Sequence, residues 1–108
     1  MKTKNKWVLA RRSSRGLNDG VEVTKSGGLF SIYRYIDDWD EDGDTIYAIN
    51  EYLKGIPEQQ IKQAIPAESD DEVASWIKSH LIKEESNSLD AIEAFLKEKN
   101  VPYTYEER

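Results

Sequence analysis

The chain has 108 residues, 38% of them apolar and 33% charged, with a net charge of −6 and no cysteine. That length fits a single domain, residues 1–108, with one modest core, and three Trp, six Tyr and two Phe supply the material to pack it. The lack of cysteine excludes disulfide frameworks, thiolate nucleophiles and Cys-based zinc or iron–sulfur sites, and it points to a reducing, cytoplasmic home.

The basic start MKTKNKWVLARRSSRG has only Trp7 to Ala10 as an apolar run, too short for a signal peptide. No segment has the apolar length of a membrane span, so a soluble protein is expected. Residues 1–36 read as strands. KWVLARR is β-compatible, SSRGLNDG clusters turn residues, VEVTK alternates with Val21 and Val23 on one side, and SGG punctuates before LFSIYRYID. In that last run Phe30, Ile32, Arg34 and Ile36 share one face while Ser31, Tyr33 and Tyr35 share the other, the period of two of a half-buried strand.

Residues 37–108 read as helices. Asp44 or Thr45 can cap a segment with Ile46, Ile49 and Leu53 at helical spacing, stopped by Gly55. Pro57 suits the first turn of PEQQIKQAI, which ends near Pro66. Ser69 caps the next helix, with acids in its first turn and Val73, Trp76, Ile77, His80 and Leu81 on one face. Ser88 caps another, striped by Leu89, Ile92, Phe95 and Leu96, and Tyr103 and Tyr105 in the tail could add an edge strand. The expected fold is α+β: a small three-stranded antiparallel sheet from the N-terminal half, packed by three to four short helices from the C-terminal half.

Charge is divided along the chain. Residues 1–36 carry eight Lys or Arg against two acids, a net of +6, whereas residues 37–108 carry 19 acids against seven bases, a net of −12. The change of sign falls at DDWDEDGD, where Asp37, Asp38, Asp40, Glu41, Asp42 and Asp44 sit within eight residues. Such a two-signed chain suits docking of its acidic edge on the basic surface of a larger protein, where the field raises the association rate and fixes orientation. Those six carboxylates are the candidate contacts, followed by Asp70, Asp71 and Glu72. By analogy of size and charge, the expectation sharpens to a non-enzymatic inhibitor that mimics nucleic acid. It would occupy a nucleic-acid-binding groove, as phage-encoded antagonists of host nucleases and of restriction or CRISPR systems do.

Two other chemistries compete. With Asp40 in first position, Asp42, Asp44 and Glu51 fall at the third, fifth and twelfth positions of a loop that resembles an EF-hand calcium site. Thr45 then stands where glycine makes the sharp turn and Tyr47 at the eighth position, so no cofactor is expected and calcium is the alternative. In the basic half, Arg11, Arg12 and Arg15 with Trp7, Tyr33 and Tyr35 resemble the components of a sheet that stacks bases and holds phosphates, which makes a nucleic-acid-associated module the other alternative.

A helix-turn-helix reading of residues 58–81 fails on charge, because Asp70, Asp71 and Glu72 would meet phosphates at the start of the second helix. His80, the single histidine, lies on an apolar stripe, and no phosphate-binding glycine loop, nucleophile elbow or paired-His helix is present. Binding rather than catalysis is therefore expected.

Overall fold

The computed structural model describes residues 5–14, 17–82 and 89–108. Five antiparallel strands form one sheet in sequence order: β1 (Lys6–Ser14), β2 (Leu17–Ser26), β3 (Leu29–Trp39), β4 (Thr45–Pro57) and β5 (Thr104–Glu107). Three helices, α1 (Glu58–Ala64), α2 (Asp70–Leu81) and α3 (Asp90–Glu98), lie in the chain between β4 and β5. The expected three-stranded sheet is thus corrected to five strands, and the expected helix over Ile46, Ile49 and Leu53 is a strand.

The correction has a physical cause. A spacing of four, from Ile49 to Leu53, satisfies a helix and a strand equally, because both residues also share a face at a period of two. What decides is the partner strand. β3 pairs with β4 along nearly its whole length, with Ile32 opposite Leu53, Tyr33 opposite Tyr52 and Ile36 opposite Ile49. Gly55, at φ 70°, marks a bulge in β4 rather than the stop of a helix: between Phe30 opposite Ile56 and Ile32 opposite Leu53, β4 carries one residue more than β3.

The faces of β2 and β3 follow the alternation. Val21, Val23, Phe30 and Ile32 are fully buried, and they pack with Trp7, Leu9, Leu53 and Ile56 beneath the helices. Gly27 and Gly28, both at positive φ, make the two-residue turn from β2 to β3, whose twist suits adjoining antiparallel strands. β2 also begins earlier than the turn-rich SSRGLNDG suggests, taking in Leu17 to Gly20.

Gly20 is there for space, not for φ. A Cβ on it would lie 2.7 Å from the Tyr35 hydroxyl and 2.9 Å from the Ala10 carbonyl oxygen, so the Tyr35 ring occupies the volume that any other residue would need.

The helices carry the expected stripes. Ser69 caps α2, its Oγ accepting from the Glu72 amide at 3.2 Å, and Glu72 Oε2 accepts from the Glu68 amide at 3.0 Å. Val73 and Ile77 of α2 and Ile92 and Leu96 of α3 are buried, and Trp76 packs on Phe95 with ring centroids 5.0 Å apart. Ser88, the expected cap of α3, lies outside the described residues. Asn100, at φ 56°, ends that helix and lets the Val101 amide reach back to the Leu96 carbonyl at 2.9 Å, which turns the chain toward β5.

An ion cluster fixes α1 and α2 to the sheet. Lys25 of β2 lies 2.8 Å from Glu58 and 2.9 Å from Asp70, and Lys62 reaches the same two carboxylates. Hydrogen bonds from Lys25 and Lys62 hold the Glu58 carboxyl below its ordinary range. Burial resists ionisation of Asp70, but the bonds from Lys62 and Lys25 outweigh it and lower its pKa too. Carboxylates depressed in the folded state stabilise it fully above the unfolded carboxyl range, and that stabilisation is lost as pH falls through the folded values.

Two outcomes follow for stability. Gly20→Ala destabilises the fold by about 1 to 3 kcal/mol in urea unfolding, because the Ala10 backbone cannot retreat as a side chain can. Asp70→Asn lowers the urea midpoint at pH 7, and the gap from wild type closes as pH drops below about 4, where the unfolded carboxyls protonate.

Candidate functional site

The acidic stretch forms the tip of the β3–β4 hairpin. The Asp40 carbonyl accepts from the Gly43 amide at 3.0 Å, and Gly43 takes the positive φ that the turn requires. Asp40 Oδ1 accepts from the amides of Asp42 and Asp44, both at 2.9 Å. One of the six carboxylates is therefore the organiser of the turn, while Asp37, Asp38, Glu41, Asp42 and Asp44 are left around it.

The tip lies away from the core. In β3 the fully buried residues are Phe30 and Ile32, and in β4 they are Leu53 and Ile56, all at the opposite end of the hairpin. Near the tip Trp39 remains 37% exposed and Tyr47 48% exposed. Among the described residues no Lys or Arg pairs with any of the six tip acids, although most other charges are compensated: Lys6 with Glu22, Arg12 with Asp19, Arg34 with Glu51 and Lys54 with Glu106.

The second group of expected contacts is elsewhere and occupied. Asp70 belongs to the Lys25 and Lys62 cluster, Asp71 accepts from the Trp7 indole, and Glu72 closes the cap of α2. These three acids hold the fold together at the start of α2 and do not extend the acidic tip.

The calcium frame is divided as well. Both flanks of the loop are strands, and Glu51 lies six residues along β4 from Thr45, about 20 Å at the rise of a strand. There it binds Arg34 and accepts from the Tyr105 hydroxyl at 2.8 Å, a bond that together with burial pushes the Tyr105 pKa up to about 12. Among the described residues no group of three or more His, Asp or Glu could hold a metal ion.

The residues of the nucleic-acid alternative are split between the two faces of the sheet. Trp7 is buried under α2, and Arg12 grips the buried Asp19 on that same side, whereas Tyr33 and Tyr35 stand on the open face. Arg11 is exposed on β1, and Arg15 lies outside the described residues. Tyr33 stacks on Tyr52 at 4.7 Å, and Lys54 and Arg108 each lie 5.0 Å from the Tyr52 ring. Tyr52 is not among the residues expected from the sequence, because the spacing of Ile46, Ile49 and Leu53 around it fits a helix. The alternation of Ala48, Asn50 and Tyr52 against Ile49, Glu51 and Leu53 was the available signal.

His80 is exposed, contrary to its expected place on the apolar stripe. Its Nδ1 lies 3.0 Å from the Trp76 carbonyl, and its ring stacks on Trp76 at 4.3 Å. Among the described residues no helix is long and apolar enough to cross a membrane. Compared with protein-family models, curated proteins and solved structures, the chain matches none.

Trp39 adjoins the turn and reports on it. Calcium at millimolar concentration is expected to leave the tryptophan emission unchanged, and a saturable change at that concentration would restore the metal reading.

Proposed function

We propose that this protein is a non-enzymatic binding module whose acidic hairpin tip docks on a basic surface of a larger cytoplasmic protein, of the kind that otherwise holds a nucleic-acid backbone. The observation that carries this reading is that, among the described residues, the carboxylates on the tip have no Lys or Arg partner while most other charges are paired. Unpaired charge at one end of the molecule creates a field that reaches about 8 to 10 Å at physiological salt and steers a positive partner.

Trp39 and Tyr47 supply what the carboxylates cannot. Acids alone give fast encounter and weak holding, whereas half-exposed aromatic residues beside them add apolar area to be buried on contact, as at the centre of many interfaces. The rigid turn around Asp40 presents these groups already ordered, so little entropy is lost on docking. The nucleic-acid alternative has less support, because Trp7 and Arg12 face away from Tyr33 and Tyr35 and the Tyr52 ring already carries Tyr33, Lys54 and Arg108.

The test keeps Asp40, which the turn needs, and replaces Asp38, Glu41, Asp42 and Asp44 with Lys. Affinity capture from the extract of its own cells, followed by mass spectrometry, should give a basic protein with the wild type and lose it with the variant. The association rate for that protein should fall by about 10- to 1,000-fold and become insensitive to salt. Equal capture by a folded variant would place the interface elsewhere.

A further inference from the structure

We infer a second binding site, for an extended acidic peptide segment, in the groove between the free edge of β1 and α2. Among the described residues β1 is the edge strand of the sheet and pairs only with β2, so alternate N–H and C=O groups along its outer side have no strand partner there. α2 packs against β1, and between them run two cavities of about 280 and 510 Å³ that share Leu9 and Lys78. Together they make one groove with a strand edge along one wall and a helix along the other.

The lining fits a peptide backbone. Ala74, Ser75 and Ser79 on the helix are small, so a chain can approach closely, and Leu9 and Ile82 provide an apolar floor. A bulge at Leu9 shifts the register of β1 on β2 between Val8 and Ala10, and pairing resumes from Ala10 to Ser14, which holds Ala10 to Ser13 as a regular strand whose outer edge can accept another. Strand addition of this kind draws affinity from main-chain hydrogen bonds and selectivity from alternate side chains.

Charge names the occupant. Arg11 and Lys78 are exposed, line the larger cavity, and have no ion-pair partner among the described residues. Arg12 stands beside them and binds Asp19 while its own side chain stays half exposed. An added strand would set apolar side chains over Leu9 and Ile82 on the α2 side, where a carboxylate also reaches Lys78, and carboxylates at the alternate positions against Arg11, which the register places on the other face. This site is independent of the acidic hairpin tip and has the opposite sign.

The experiment pans a displayed library of random nonapeptides on the full chain and titrates the selected peptides by two-dimensional NMR. Selected sequences should be rich in Asp and Glu, and amide shifts should concentrate in residues 9–13 and 74–82. Methylating alternate backbone nitrogens of a selected peptide should abolish binding, which a purely ionic contact would survive. Arg11→Glu with Lys78→Glu, both exposed positions, should weaken binding at least tenfold while circular dichroism stays unchanged. Replacing the hairpin acids should leave peptide binding intact, so this site and the tip stand or fall separately. The site is refuted if no peptide is selected, if selected peptides are basic, if shifts map to the hairpin tip, or if the signal proves to be self-association by light scattering.

Discussion

The alternation of β2 and β3 places Val21, Val23, Phe30 and Ile32 on one side of the sheet, and removing those side chains from water is the constraint on which the other features rest. A five-stranded meander can bury one face only if something covers it, and the three helices between β4 and β5 do so. Covering one end of that face also fixes what is left over. The far end of the β3–β4 hairpin has no fully buried residue in the described set, and only its turn extends past β2, whose pairing with β3 reaches Leu17 opposite Asp38; that tip is held by local bonds around Asp40.

Charge follows the same geometry. Lys25 can serve both Glu58 and Asp70 because α1 and α2 begin beside the same end of the sheet, where the Glu58 amide also bonds the Gly28 carbonyl. Among the described bases of the first third of the chain, Lys6, Arg12, Lys25 and Arg34 are matched to acids of the sheet and helices. Among the described residues, charges without an ion pair include the carboxylates at the hairpin tip and, in the groove beside β1, Arg11 with Lys78. Opposite charges kept on separate surfaces do not pair with one another within the fold, which is the basis of the two proposed binding surfaces.

Much of this was legible along the chain. The faces of β3, the Ser69 cap and the stripes of α2 and α3 follow from periods and capping residues that local geometry enforces. The β4 segment is ambiguous along the chain because Ile46, Ile49 and Leu53 match a helix, while the strand signal is spread over its other residues and over the neighbour it pairs with. The candidate site was half legible. The density of acids at residues 37–44 is plain in the sequence, but Asp70, Asp71 and Glu72 look just as available there and are in fact held by Lys25, Lys62, Trp7 and the α2 cap.

The sequence by itself determined which residues leave water and which carry charge, because hydrophobic period and side-chain chemistry are properties of the local chain. Only the tertiary structure decided which charges are cancelled and which stay free, and which of two periods the Thr45–Pro57 segment obeys. Both depend on partners far away in sequence: Lys25 reaches Asp70 across 45 positions, and Trp7 reaches Asp71 across 64. Separations of that length are closed by burial of the shared core, and no local pattern encodes them.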